Sequence, residues 1–210
     1  MTGFVALTNV FVRVVQGEVD DPDGARSTYQ RWFDEVASGA DGWLTSTGGT
    51  SDTDVFISVE QLASEQAARL NDIRPEQARW WEEMRRDFAQ APTVHDARVV
   101  ATIGPDRPQQ VGSVHVVQGS TPQLTDVMEK VAETAQRHID EHHLDVIGGL
   151  IADHGDGEFT ELIYYPSTEA ARQEDSGELA EGGVTLVERL AGTVTDLRYL
   201  HLPDPVVRHH

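Results

Sequence analysis

Val14-Val15-Gln16-Gly17 recurs in the second half of the chain as Val116-Val117-Gln118-Gly119. The segment Thr93-Val94-His95-Asp96-Ala97-Arg98 also recurs, one hundred positions later, as Thr193-Val194-Thr195-Asp196-Leu197-Arg198. One short match would be chance, but matches that keep their order and spacing indicate a structural module that occurs twice.

A third pair of segments extends this repeat, and a linker separates its two copies. Glu65-Gln66-Ala67-Ala68-Arg69 corresponds to Thr168-Glu169-Ala170-Ala171-Arg172 at nearly the same offset. The polar, proline-containing stretch Gly104-Pro105-Asp106-Arg107-Pro108-Gln109-Gln110 is typical of a linker. We therefore expect one domain over residues 1–104 and a second over residues 111–203.

Hydrophobic periodicity changes in the same order in both halves. In the first half it predicts strands at 4–15, 42–47, 54–59 and 96–103, and helices at 25–38, 62–72 and 75–90. In the second half it predicts strands at 111–118, 145–153, 158–165 and 194–202, and helices at 122–143, 167–174 and 181–191. Each half thus follows the order β-α-β-β-α-β, which is an α+β, ferredoxin-like arrangement.

This arrangement has a consequence for the sheets. Helices on one face of a four-stranded sheet leave the other face uncovered, and two such faces in one chain can cover each other. We therefore expect the tandem ferredoxin-like repeats to form one pseudo-symmetric α/β barrel. Because a duplicated chain can complete this barrel alone, a monomer with an intrachain barrel or a homodimer is expected.

Composition excludes several classes of function. The 210-residue chain is acidic, with a formal net charge of −20 and a pI near 4.6, so we expect no nucleic-acid or membrane partner. It has no cysteine, which excludes disulfides, thiolate metal sites and thiol nucleophiles. No apolar run approaches the roughly 20 residues of a membrane span, and no leader precedes the first predicted strand. A soluble, cytoplasmic protein is expected.

The element order resembles that of the dimeric α/β-barrel superfamily, which includes antibiotic-biosynthesis-monooxygenase-like domains. The opening strand Ala6-Leu7-Thr8-Asn9-Val10-Phe11-Val12 and the strand Val55-Phe56-Ile57-Ser58-Val59-Glu60, which leads into an Ala-rich helix, carry the resemblance. It covers nearly the whole chain as two fused copies. The superfamily includes cofactor-independent oxygenases, haem-degrading enzymes, isomerases and proteins without known activity, so the fold alone does not fix the reaction.

The haem-degrading branch of this superfamily places an Asn on the first strand, and a Trp and a His on the helix after the third strand. Asn9 matches the first position, and Trp80 or Trp81 lies near the second. No histidine occurs between Val55 and Val94, so the axial ligand is missing from its expected helix. We therefore expect no cofactor.

Strand alternation assigns the side chains of the first strand to two faces. The side chains expected to pack under the helices are Val10, Val12 and Val14. Those expected to point into the barrel are Asn9, Phe11 and Arg13. The repeat places Val111, Ser113 and His115 at the corresponding positions of the second half.

These inward-facing polar groups form the predicted site. Arg13 and Ser113 would orient a small anionic or phenolic ligand, and Phe11 would stack on it. His115 would act as the general base because imidazole titrates near neutral pH, and Asn9 would donate a hydrogen bond in catalysis. In the alternative, these groups satisfy one another, or Arg13 pairs with an acidic residue across the sheet.

Two further features have both a functional and a structural interpretation. Trp80 and Trp81 lie on adjacent sides of one helix, so Trp81 is predicted either to bind substrate at the barrel mouth or to be a half-exposed packing residue. His138 and His142 stand at i and i+4, close enough to share a metal, but no third ligand is evident. Compensation of the helix dipole explains these histidines, so no metal is expected.

The sequence therefore favours a small-molecule enzyme, a cofactor-independent monooxygenase acting on a phenolic or polycyclic metabolite in the barrel interior. The alternative is a non-catalytic small-ligand-binding or stress-related protein that uses the same cavity without turnover.

Overall fold

The computed structural model describes residues 10–104, 108–122, 145–176 and 194–210, together with Leu124 and Arg137. These residues fall into two compact units. The first unit holds the described residues 10–97 and 205–210, and the second holds those between 98 and 204. The domain boundaries expected at residues 104 and 111 stay a prediction.

The described residues form an α+β structure with nine strands and four α-helices. In chain order these are β1 (Phe11–Glu18), α1 (Pro22–Glu35), β2 (Trp43–Thr50), β3 (Val55–Leu62), α2 (Glu65–Asp72), α3 (Pro75–Met84), β4 (Thr93–Ile103), β5 (Ser113–Ser120), β6 (Gly148–Asp153), β7 (Glu158–Tyr165), α4 (Thr168–Ser176), β8 (Thr195–Leu202) and β9 (Val206–His209). A short 3-10 helix, Ala37–Gly39, follows α1.

The first unit has the strand order β4–β1–β3–β2–β9, to which β4 contributes residues 93–97. The pairs β1–β3, β2–β3 and β2–β9 are antiparallel. The order of its first four strands, 4-1-3-2, with helices in both crossovers, is that of a ferredoxin-like fold. The predicted succession of elements in the first half is thus confirmed, with the second helical segment divided into α2 and α3.

Local sequence signals explain where these helices begin. The Asp21 carboxylate accepts a hydrogen bond from the Gly24 backbone N–H and caps α1, and the Ser64 hydroxyl accepts one from Ala67 and caps α2. Pro75 is the first residue of α3, where its missing N–H costs no hydrogen bond. None of the helices in the described ranges is both long and apolar enough to cross a bilayer.

One face of the first unit's sheet packs against the helices through a large aromatic core. Tyr29 contacts Phe33 and Phe56 edge to face, with ring centroids 5.2 and 5.4 Å apart. Trp32 lies against Trp43 in the same way at 5.2 Å. Edge-to-face aromatic pairs stabilise a core beyond the area they bury.

The predicted faces of the first strand are reversed. Phe11 packs against Leu62 and against Ala68 of α2, so Phe11 and Arg13 lie on the helix-covered face. Val12 and Val14 point to the other face and are fully buried. Because both faces of β1 are buried, hydrophobicity along the strand carries no information about which face meets the helices.

The second unit has the strand order β8–β5–β7–β6–β4, to which β4 contributes residues 98–103. Its pairs β5–β8, β5–β7, β6–β7 and β4–β6 are antiparallel. The strands predicted at 145–153 and 158–165 are confirmed as β6 and β7, and they form a hairpin around Gly155-Asp156-Gly157, with both glycines at a φ of 92°. Helix α4 confirms the prediction at 167–174, whereas most of the predicted helix 122–143 and all of 181–191 lie outside the described residues.

The repeated segments occupy matching places in the two units. Val14–Gly17 lies on β1, and its counterpart lies on β5, the first strand of the second unit. The Glu65–Arg69 segment begins α2, and its counterpart begins α4. The strand orders 4-1-3-2 and 8-5-7-6 are likewise equivalent.

The C-terminal residues belong to the sheet of the first unit. Val206–His209 forms β9, which pairs with β2 over four residues from Thr45 to Gly48. Val206 is buried in the aromatic core, and the ring of His210 lies 6.0 Å from that of Trp43. Pro203-Asp204-Pro205, a turn-forming segment, separates β9 from β8 along the chain.

A buried carboxyl group lies in the second unit, on β7. Glu161 is 2% exposed, and no hydrogen bond from the described residues reaches its Oε2 atom. Burial raises the pKa of the Glu161 carboxyl to about 7. Between pH 4.5 and 7 the folded chain therefore binds more protons at this site than the unfolded chain does, and stability falls as the pH rises.

We predict that Val206→Ala lowers the free energy of unfolding of the first unit by roughly 1 to 2 kcal/mol, because it leaves a cavity in the core. Urea unfolding followed by tryptophan fluorescence measures this, since all four tryptophans lie in the first unit. Val207→Ala, on the same strand but only half-buried, is the matched control. An equal effect of both substitutions would contradict the packing of β9.

We also predict that Glu161→Gln removes a pH-dependent loss of stability. In the wild type, ionisation of Glu161 costs on the order of 3 kcal/mol between pH 4.5 and pH 7 or above. The variant should lose less stability between pH 5 and pH 8 than the wild type, as measured by urea unfolding with circular dichroism. Glu158→Gln, at an exposed position of the same strand, should leave the pH dependence unchanged.

Candidate functional site

A cavity of about 400 Å³ lies inside the first unit. Residues from strands β1 to β4 and helices α1 to α3 line it, so its walls come from the helix-covered side of the sheet and from the helices that cover it. This volume lies in the range of small-molecule sites in proteins. We refer to it as the tryptophan cavity.

All four tryptophans of the chain line this cavity: Trp32, Trp43, Trp80 and Trp81. Three of them are buried, whereas Trp81 is partly exposed. The ring of Trp80 lies 5.7 Å from that of Trp81, tilted by 32°, and 6.4 Å from that of Trp32. The four indole rings therefore form a continuous aromatic wall of the cavity, and this wall reaches solvent at Trp81.

Hydrogen bonds fix the three buried indoles. Trp32 donates from Nε1 to the Gln77 side-chain oxygen at 2.7 Å, and Trp80 donates to the backbone oxygen of Thr28 at 2.8 Å. Trp43 donates to the Ser46 hydroxyl at 2.8 Å. Because each indole N–H is satisfied within the protein, these side chains offer mainly their apolar rings to a ligand.

Arg13 provides the positive charge on the sheet side of the cavity. Its guanidinium donates to Asp72 on α2 at 2.6 Å and to Asp96 on β4 at 3.0 Å. Burial lowers the pKa of Arg13, but the hydrogen bonds and charges of Asp96 and Asp72 outweigh it and raise the pKa. The alternative interpretation, in which Arg13 pairs with acidic residues, is confirmed.

Glu60 lies beside Arg13 on the neighbouring strand. The two residues are direct cross-strand partners in the β1–β3 register, and both line the cavity. Burial raises the pKa of the Glu60 carboxyl to about 7; Arg13 opposes this rise and Asp72 adds to it. An acid with such a pKa can exchange protons near neutral pH.

Three further polar residues line the cavity. Asn71 on α2 is buried, whereas Glu82 on α3 and Arg85, which follows α3, are exposed. The Arg85 guanidinium stands 5.9 Å from the ring centroid of Trp81, within the range of a cation–π interaction. The described lining residues include no histidine, cysteine or methionine, so the cavity does not fit the axial ligation of haem iron.

The tryptophan cavity brings together two of the predicted site residues. Arg13 and Trp81 both line it, although Arg13 reaches it from the face that was expected to be the opposite one. Phe11 lies next to Arg13, whose guanidinium stands 5.9 Å from the Phe11 ring centroid, but Phe11 is not part of the lining.

The other predicted residues lie elsewhere. In the second unit the Ser113 hydroxyl is 2.9 Å from Nε2 of His201, and the His115 ring lies 4.8 Å from Tyr165. Tyr165 packs against α4, so His115 is on a helix-covered face rather than on the face assigned to it. Asn9 lies outside the described residues, as do His138 and His142.

The sequence prediction missed Glu60, Asp72 and two of the tryptophans, Trp32 and Trp43. A signal for Glu60 was present, since it is an acidic residue at the end of an otherwise apolar strand. Its partner Arg13 was recognised, but the register that joins them depends on the hairpin between β2 and β3 and on the β1–β3 pairing. Residue types alone do not show that register.

Solved structures of other proteins share the fold of this chain. The sequence matches no model of a known protein family, and a search of curated proteins finds no match. A Fusobacterium nucleatum protein named "putative monooxygenase" shares the fold with a TM-score of 0.73 at 12% identity, over 97% of this chain and 96% of its own. An "anthrone oxidase-like protein" gives 0.69 at 12% identity, over 99% and 96%.

A third structure links these similarities to a class of protein. It is a Listeria monocytogenes protein named as an uncharacterised ferredoxin-fold protein related to antibiotic biosynthesis monooxygenases, with a TM-score of 0.51 at 10% identity, over 94% of this chain and 96% of its own. The chain thus has the α+β, ferredoxin-like fold of antibiotic-biosynthesis-monooxygenase-like proteins. The resemblance expected from the sequence is confirmed at the level of the fold.

We predict that the tryptophan fluorescence of the protein titrates with a midpoint near pH 7, because Glu60 ionises among the indoles. Glu60→Gln should abolish this transition. Asp72→Asn should move its midpoint to lower pH, because it removes a negative charge that opposes ionisation.

The control for this titration is His210→Gln, because the His210 ring lies 6.0 Å from that of Trp43 and is a second ionisable group beside the indoles. This variant should keep the transition. A midpoint that disappears in His210→Gln and persists in Glu60→Gln would assign the titration to the histidine and contradict the prediction.

Proposed function

We propose that the protein is a cofactor-independent monooxygenase that oxidises a phenolic or polycyclic aromatic metabolite with O₂ in the tryptophan cavity. The observation that carries this proposal is the cavity itself, in which four tryptophans surround a cation and an acid that titrates near neutral pH. We propose this site on the helix-covered side of the first unit, whereas the sequence had led us to expect it in the barrel interior.

The walls of the cavity favour a planar aromatic ligand. Indole rings stack on or pack edge to face with another aromatic ring, and the N–H groups of the three buried indoles are already occupied by Gln77, Thr28 and Ser46. Selectivity then depends on the few polar groups that the lining presents, chiefly Arg13 and Glu60.

The chemistry that these residues support requires little from the protein. A phenol or an anthrone that has lost a proton is electron-rich enough to react with O₂, so the protein need only bind it, exclude water and stabilise its anion. Arg13 supplies a positive charge for that anion. The names of the neighbours in fold, two of them monooxygenase or anthrone oxidase-like, agree with this chemistry.

Some predicted roles remain proposals that the tryptophan cavity does not require. Asn9 is proposed as a hydrogen-bond donor to the substrate. His115 and Ser113 are proposed as a second polar site, located in the second unit beside His201 and Tyr165. Phe11 is proposed to act on the ligand only through Arg13, which it contacts.

We also propose that the chain consists of two fused copies of one ferredoxin-like module. The equivalent strand orders of the two units and the matching places of the repeated segments support this proposal. The pseudo-symmetric barrel, the cytoplasmic location and the choice between monomer and homodimer stay predictions from the sequence.

One observation favours the alternative, a non-catalytic small-ligand-binding protein. The sheet face opposite the helices is closely packed: Val12, Val14, Ile57 and Val59 are each at most 2% exposed. A closely packed sheet with one aromatic cavity would suffice to bind a ligand without turnover. Oxygen uptake distinguishes the two functions.

The test uses 1,8-dihydroxyanthrone as the probe. We expect it to quench the tryptophan fluorescence and to be converted to the quinone with one O₂ consumed per quinone, as measured with an oxygen electrode and by absorbance. Trp81→Ala should weaken binding by roughly 2- to 10-fold through the loss of one aromatic contact.

Leu70→Ala, at an exposed position of α2 outside the cavity, should bind the probe as the wild type does. Binding without oxygen uptake would support the ligand-binding alternative. Absence of both binding and oxygen uptake would contradict the proposed function.

A further inference from the structure

We propose that Glu60 is the catalytic base of this protein, which takes a proton from a neutral, weakly acidic aromatic substrate in the tryptophan cavity. This inference rests on the proposed function and names the substrate class and the proton acceptor of that site. Nothing in the fold comparison assigns a role to this residue, and the sequence had favoured His115, which lies in the second unit.

The position of Glu60 suits a base that meets its substrate. It lies on β3 between β1 and β2, with Arg13 and Ser46 as its two cross-strand neighbours, and its side chain lines the cavity. The Ser46 hydroxyl is occupied by the indole of Trp43. Arg13 gives its hydrogen bonds to Asp72 and Asp96.

The carboxyl group of Glu60 is therefore available to accept a proton from a ligand in the cavity. Within the described parts of the chain, no side-chain hydrogen bond reaches this carboxyl group, whereas the polar groups beside it hydrogen-bond to other residues. A carboxylate that is largely removed from water and lacks a hydrogen-bond donor is a stronger base than a solvated one. Its raised pKa, about 7, agrees with this placement.

The charged groups around Glu60 come from β1, α2, α3 and β4, whereas its neighbour on β2 is the uncharged Ser46. Arg13 lies on β1, Asp72 on α2, Glu82 on α3 with Arg85 directly after it, and Asp96 on β4. The cavity lining thus carries two arginines and three carboxyl groups, and Asp96 adds a further negative charge behind Arg13. An anionic ligand would enter against this charge, so the substrate is expected to arrive neutral.

Proton transfer then keeps the total charge of the cavity constant. The Glu60 carboxylate takes a proton from a weakly acidic CH₂ group of the substrate. The electron pair of the broken C–H bond remains on the substrate, which becomes an enolate. The negative charge has moved from Glu60 to the ligand, where Arg13 can stabilise it. The hydrogen bonds that Arg13 donates to Asp72 and Asp96 keep it charged and in place.

The later steps follow from the same base. The enolate carbon of the substrate forms a C–O bond with O₂, which is reduced to a peroxide anion. This anion takes the proton back from Glu60 and becomes a hydroperoxide. Loss of water breaks the O–O bond and the remaining C–H bond, so that a CH₂ group and O₂ give a carbonyl group and water.

The experiment separates proton removal from oxidation. In D₂O without oxygen, the base exchanges the methylene hydrogens of 1,8-dihydroxyanthrone for deuterium, which proton NMR measures. We expect Glu60→Gln to slow this exchange, and the oxidation in air, by about 100-fold or more, which is the usual contribution of a general base. The rate in the wild type should rise with pH through a midpoint near 7, and Glu60→Gln should lack this rise.

Matched variants control for folding. Glu60→Asp, which keeps a carboxylate, should retain part of the exchange and its pH dependence. Glu18→Gln, at an exposed position of β1 outside the cavity, should exchange as the wild type does. Anaerobic quenching of tryptophan fluorescence by the probe should be preserved in Glu60→Gln, which shows that the cavity is intact.

The outcomes distinguish this inference from the function on which it rests. Exchange without oxygen uptake in the wild type, lost in Glu60→Gln, supports the base and rejects the monooxygenase. Oxidation and exchange that survive in Glu60→Gln reject Glu60 as the base and leave the monooxygenase standing. A wild type that binds the probe but neither exchanges nor oxidises it overturns both.

Discussion

The pairing of Arg13 with Asp72 and Asp96 is the constraint on which the first unit depends. A guanidinium on an inner strand, facing the helices, would be costly without partners, because packing removes most of its hydration. Asp72 at the end of α2 and Asp96 on β4 approach it from two different elements. Their positions couple the register of the strands to the placement of α2, and the tryptophan cavity lies against this ion cluster.

The same cluster leaves Glu60 without an ion-pair partner among the described residues and with a raised pKa. Were Arg13 free, it would pair with Glu60, its direct cross-strand neighbour, and the carboxyl group would be an ordinary ion-pair partner. Because two aspartates hold the guanidinium, Arg13 lowers the pKa of Glu60 only in part, and desolvation prevails. The geometry of one ion pair thus sets the proton affinity of a group that is not a member of it.

Much of the fold followed from periodicity, whereas the site did not. The order of elements in the first half and the resemblance in fold both came from local patterns that the chain carries twice. The faces of β1 were assigned wrongly because Val12 and Val14 are buried on one side while Phe11 and Val15 are buried on the other. Hydrophobicity along such a strand does not distinguish the face that meets the helices from the other one. The meeting of Trp32, Trp43 and Trp80 in one cavity depends on how α1 and α3 pack against the sheet that carries Trp43, which spacing along a chain does not encode.

Strand β9 has a consequence for biosynthesis. Residues 205–210 complete the sheet of a unit whose other described residues lie at 10–97, and more than one hundred residues separate the two segments along the chain. During synthesis, residues 10–97 of the first unit therefore leave the ribosome before β9 does. The edge of β2 stays unpaired until residues 98–204 have been translated, and a chaperone that covers this edge would prevent its pairing with other chains.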